Sequence, residues 1–146
     1  MKVSQLEGMQ LDYWVARALG YEHHGAVGVY EENDKGIPWC RFGMKNDWWK
    51  SPDGQWICGP CSCFPDNYST EWLRGGPIIE QERIGLEYGG YVTNRWHARW
   101  ETAFHSNSTQ VVCGYGSTAL IAAMRAFVAS KFGEAVEQPD QAAEQS

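Results

Sequence analysis

The sequence predicts an α+β domain in which an antiparallel sheet of about four to six strands packs against an N-terminal and a C-terminal helix. Three observations predict it. Each end of the chain carries apolar residues at helical spacing, the stretch between them contains clean two-residue alternation, and Gly- or Pro-containing breaks separate the segments. The 146 residues fit one domain with enough core to need no disulfide staples. Residues 1–133 read as that domain and 134–146 as an acidic, polar and flexible tail.

The first helix is expected from about Met9 to Leu19, where Leu11, Trp14, Val15, Ala18 and Leu19 form an apolar face and Gly20 ends it. Ser4 to Glu7 has capping-box spacing and can start a short turn ahead of it. Gly25 to Tyr30 alternates weakly and reads as a strand before a turn at Asn33 to Gly36. Pro38 to Phe64 fits short strands and loop equally well. Ser69 to Trp72 reads as a helical turn that Gly75-Gly76-Pro77 breaks. Ile78 to Tyr88 is then expected as a strand, with Gly89-Gly90 as a two-residue hairpin turn to its partner.

Trp96 to Phe104 alternates most clearly. Trp96, Ala98, Trp100, Thr102 and Phe104 share one face, and His97, Arg99, Glu101, Ala103 and His105 share the other. A polar loop leads to a short strand at Val111 to Cys113, with Cys113 read as a core residue. The last helix is expected from Thr118 to Phe132, capped by Ser117 or Thr118 and stopped by Gly133.

Hydrophobic content of 43% with 14% aromatics is that of a globular chain. Eight Trp and seven Tyr serve either as large core side chains or as stacking platforms in a cleft, and core packing explains most aromatics. The net charge of −6 is concentrated in the tail, which holds Glu134, Glu137, Asp140 and Glu144 and no base. The body, with fourteen acids against twelve bases, is too nearly neutral for nonspecific binding of long nucleic acid. A small anionic ligand remains compatible, since two or three placed arginines suffice for it. No run approaches the ~20 apolar residues that span a bilayer, so a soluble protein without membrane contact is expected. Five cysteines then read as reduced thiols.

Cys58-Gly59-Pro60-Cys61 has the letters of a thiol–disulfide oxidoreductase, but that chemistry needs a strand-to-helix junction, and Pro65 interrupts such a helix. Tetrahedral zinc is an alternative, with Cys58, Cys61 and Cys63 joined by Cys40, His23 or His24. The spacing matches no common finger, so neither a bound metal nor a cofactor is expected. His97, Glu101 and His105 share a strand face, as residues of any solvated face do. No nucleophile elbow, phosphate loop or HExxH is present, so an enzyme is not expected.

Thr70-Glu71-Trp72-Leu73-Arg74-Gly75-Gly76-Pro77 is the remaining candidate. Gly75 and Gly76 can expose backbone amides, Arg74 can hold phosphate, and Trp72 can stack on a ring. A loop that merely joins two elements has the same composition. If this is a site, Arg95 or Arg99 supplies further charge and Trp96 a second stacking face.

Three blocks, Leu6 to Gly20, Tyr68 to about Leu86 and Ser117 to Pro139, together resemble the NinX-like family of small bacteriophage and prophage proteins. Glu22 to Phe64 departs from that resemblance, being longer and richer in Trp and Cys. The resemblance implies a protein of the infected bacterium's cytoplasm and carries no mechanism. With it, the composition favours an accessory protein that binds without catalysis, its ligand a small anionic nucleotide-like signal of host defence. A module that binds a host or phage protein is the alternative, and a homo-oligomer is compatible with either.

Overall fold

The computed structural model describes residues 1–25, 47–59, 64–89, 95–102 and 110–137. Among them are three helices, α1 (Gly8–Ala18), α2 (Trp72–Glu82) and α3 (Ala119–Phe132). Six strands form two antiparallel sheets of three: β1 (Glu22–Gly25), β2 (Trp48–Lys50) and β3 (Trp56–Cys58), then β4 (Gly85–Tyr88), β5 (Trp96–Glu101) and β6 (Val111–Gly116). The class is α+β as expected, with its strands divided between two sheets.

The C-terminal half is built around α3. Thr118 caps it by accepting the Ile121 amide at 3.1 Å, and Gly133 ends it at a φ of +86° that favours glycine. Leu120, Met124, Phe127 and Val128 are buried, and the helix lies across β5 and β6. Its approach to β6 is unusually close. A Cβ on Gly114 would stand 2.3 Å from the Ala122 carbonyl oxygen and 2.5 Å from the Ala126 nitrogen. Backbone meets backbone there, and only glycine opposite alanine leaves the room. In place of both terminal helices lying on the sheet, α1 packs mainly on α3, with Trp14 edge-on to Phe132 at 5.3 Å.

The chain between Trp72 and Tyr88 differs from the expectation. Gly75-Gly76-Pro77 lies inside α2, and the expected strand from Ile78 is helix as far as Glu82. Gly and Pro are the poorest helix formers, so the reason is tertiary. A Cβ on Gly75 would stand 2.3 Å from the Tyr68 carbonyl oxygen and 2.6 Å from Leu120 Cδ2. Glycine lets α2 seat against α3 and the preceding turn, and packing stabilises the helix more than propensity opposes it. Only Gly85–Tyr88 remains as strand. Its register sets Tyr88 opposite Trp96, a pairing that a two-residue turn at Gly89-Gly90 does not give; Gly90 itself lies outside the described residues.

Asp12 on α1 is almost fully buried and accepts the Ser69 amide at 2.8 Å, tying the first helix to the turn ahead of α2. Burial raises its carboxyl above the usual range, and the hydrogen bonds from Ser69 partly oppose the shift. The chain ends are also joined. The Met1 ammonium donates to the Val136 carbonyl oxygen at 2.8 Å, and the Val3 amide donates to that of Glu134 at 2.8 Å. Residues 134–136 therefore belong to the folded body. The expected flexible stretch from 138 onward lies outside the described residues, as do the turn at Asn33 to Gly36 and most of the strand expected from Gly25 to Tyr30. Among the described residues no helix is long and apolar enough to cross a membrane.

Candidate functional site

The predicted ligand residues fall on different surfaces. Trp72 is 57% exposed on the first turn of α2, and Arg74 nearby reaches Asp66 at 3.9 Å. Gly75 is buried, and its amide donates to the Glu71 carbonyl oxygen at 2.9 Å, as the Arg74 amide does at 3.0 Å. Those amides serve the helix and are not bare. Gly76 lies beside the Trp72 ring; a Cβ on it would stand 3.9 Å from Trp72 Cε3. The helix carrying these four residues packs on α3, which itself covers one side of the C-terminal sheet. Arg95 and Arg99 lie with the opposite side.

That open side follows from strand alternation. Trp96, Ala98 and Trp100 turn toward the helix-covered core, so Trp96 does not share a face with Arg99. On the outer face, register places Glu87, His97 and Tyr115 in one row across the three strands and Gly85, Arg99 and Cys113 in the next. Cys113, expected in the core, is exposed here. It belongs to an edge strand that runs on to Gly116, and its side chain alternates with the buried glycines.

Three of these groups form a stack. The His97 and Tyr115 rings lie nearly parallel, 10° apart with centroids at 4.8 Å. The Arg95 guanidinium carbon stands 4.4 Å from the Tyr115 ring centre, close enough for cation–π attraction. Tyr115 remains 41% exposed. Arg99 donates from Nε to Glu101 Oε1 at 2.7 Å along the same face. The arrangement offers a flat aromatic edge and guanidinium donors to a ligand from solvent. Arg95 and Arg99 were legible in the sequence as cations near the site. Tyr115 was not, because the last strand was expected to end at Cys113; continuing the alternation Val111, Cys113, Tyr115 would have found it.

The small N-terminal sheet carries a second polar group that the sequence did not signal. His23 Nε2 meets Asp47 Oδ1 at 2.5 Å, its Nδ1 lies 3.4 Å from the Tyr13 hydroxyl, and Arg17 donates to that hydroxyl at 3.3 Å. Both ring nitrogens are occupied and the side chain is 7% exposed, so the imidazole acts here as a strut between α1 and the β1–β2 sheet. It offers no open position for general-base chemistry. Trp49 packs against it at 4.6 Å. Trp14, Trp48, Trp49 and Trp100 are all buried, so packing accounts for half of the eight tryptophans. Among the described residues no three His, Cys, Asp or Glu side chains are placed to hold a metal ion. Cys40, Cys61 and Cys63 lie outside those residues.

The three blocks singled out in the sequence coincide with α1, α2 and α3, and the contacts Asp12 to Ser69 and Gly75 to Leu120 join them. The family model described as Bacteriophage P22, NinX matches residues 2–131. The chain belongs to this phage family. In this chain the three blocks supply the helices and the contacts that join them. No curated protein matches the sequence.

Proposed function

We propose that this NinX-family protein acts by binding, without catalysis, and that the outer face of its C-terminal sheet takes a small, ring-bearing anion of nucleotide type. The observation that carries this reading is the stack of exposed Arg95 and Tyr115 on half-buried His97. Contact with aromatic rings and charged hydrogen bonds from guanidinium are two attractions common to nucleotides. Membership of a phage family supports a role in the infected bacterium's cytoplasm, where capture of a nucleotide signal of host defence would serve the phage. Titration calorimetry against cyclic di- and trinucleotides and ADP-ribose derivatives tests the reading. Binding by at least one, weakened in Arg95→Ala at unchanged melting temperature, supports it; heat from none of them removes it.

Exposed apolar side chains favour a second reading, a docking module for a host or phage protein. Met9 is 88% and Leu73 76% exposed, and Trp72 stands beside Leu73. Scattered apolar residues are common on surfaces, whereas contiguous ones mark interfaces. A stoichiometric partner that survives nucleotide washing and is lost in Leu73→Asp would favour it over ligand capture.

A further inference from the structure

We infer that the outer sheet face selects its ligand by charge, accepting a ring that bears one negative charge and disfavouring polyphosphate chains, with Glu101 as the specificity-determining residue. The inference rests on the nucleotide reading above and adds the ligand's charge class to it.

The whole stretch from Gly85 to Gly116 contains four ionic side chains, Glu87, Arg95, Arg99 and Glu101. Two acids balance two bases. The connecting residues 90–94 and 103–109 include no Asp, Glu, Lys or Arg, so the loops of this sheet add no further formal charge. The four are also arranged unequally. Arg99 is held by Glu101 at 2.7 Å, while Arg95 makes no ion pair among the described residues and lies against Tyr115. Glu87 stands directly across from His97 in the register. An anion seated over the His97–Tyr115 stack therefore meets one guanidinium without a carboxylate partner among the described residues, with Glu87 in the same row and Glu101 two rows along the face.

A single phosphodiester charge suits that setting. A chain of phosphates extended from the same ring would bring further charges toward Glu87 or Glu101, where like charges repel. Arg99 would meet a second phosphate with its charge already offset by Glu101, which engages its Nε and leaves only the terminal amino groups to donate. Their contact is partly solvated, with the two side chains 56% and 28% exposed, so the pair contributes little to stability and its effect falls on the ligand. Glu101 thus acts by neutralising Arg99 and by repelling a second anionic group.

The test compares adenosine, adenosine 3′,5′-cyclic monophosphate and ATP by titration calorimetry at low salt on wild type, Glu101→Gln and Arg95→Ala. Wild type should bind the cyclic monophosphate more tightly than ATP. Glu101→Gln should gain roughly tenfold for ATP with little change for the cyclic monophosphate, and added salt should narrow the difference. Arg95→Ala should weaken both nucleotides toward adenosine. ATP bound by wild type as tightly as the cyclic monophosphate, or a Glu101→Gln change equal for both, overturns charge selection while leaving nucleotide binding in place. Absence of binding to every probe and to the wider nucleotide panel overturns the functional reading and this inference with it. Equal melting temperatures for the three proteins confirm that affinity, not folding, is being compared.

Discussion

The two faces of the C-terminal sheet are made from the same strands and obey opposite rules. On the inner face Gly114 and Gly116 let α3 approach until backbone touches backbone; a Cβ on Gly116 would stand 2.9 Å from the Ala122 nitrogen. On the outer face the alternating positions of the same strand are Val111, Cys113 and Tyr115, all exposed. The inner face has no tolerance for an added methyl group, because interiors are close-packed and the obstructing atoms are backbone. On the outer face, truncation of exposed side chains such as Arg95 is expected to cost the fold little. Along β6, glycine therefore marks the structural side, and Val111, Cys113 and Tyr115 the side available to a ligand.

The strongest way to break that contrast is Gly114→Ala. One methyl group should cost about 3 kcal/mol or more, at the upper end of overpacking effects, read as a collapse of the thermal or urea midpoint. An unchanged midpoint would mean that α3 can move away from β6 freely, and the contrast would lose its basis.

Asp12→Ala should come next, because it leaves the buried Ser69 amide without an acceptor, at about 1–3 kcal/mol. Asp12→Asn keeps an acceptor and should cost less. It also isolates a pH effect. The folded carboxyl holds its proton to higher pH than the usual value of 3.8, so the native state binds more protons just above that value and loses stability as pH rises through the raised pKa. Asn carries no such charge. Denaturation from pH 3 to 7 should show the Asn variant gaining on wild type as pH rises; a constant difference would contradict the buried-charge account.

On the outer face, Arg95→Ala should leave the melting temperature in place and weaken ligand binding roughly tenfold, the worth of a charged hydrogen bond. A fall in melting temperature of several degrees would make Arg95 a structural residue and sharpen the contrast against the ligand reading. The smallest effect is expected for Trp72→Ala. Trp72 is exposed on α2, so its loss should lie within about 0.5 kcal/mol by urea denaturation, although truncating a core tryptophan costs about 3–5 kcal/mol.

What was legible in the sequence was local. α3 could be read because its cap Thr118, its apolar spacing and its stop at Gly133 all lie within the element. α1 was readable for the same reason, within a residue at each end. The alternation of Trp96 to Glu101 correctly separated the core side from the open side, and it placed Arg99 on the surface before any contact was known. The full extent of β6, and with it Tyr115, was missed because two glycines interrupt an otherwise simple alternation. Those glycines look like loop residues until the helix that needs them is in view.

The sequence by itself therefore determined the α+β class, the two terminal helices, the near-neutral charge of the body and the phage family. Each follows from residues close together in the chain or from composition. Only the tertiary structure decided that Gly75-Gly76-Pro77 is helix, that the strands divide into two sheets, and that Arg95 meets Tyr115 and His97. The physical reason is the same in each case. Gly75 is selected by Tyr68 and Leu120, and Arg95 by a tyrosine twenty residues onward, so the deciding energy lies in contacts between distant segments, which no local propensity contains.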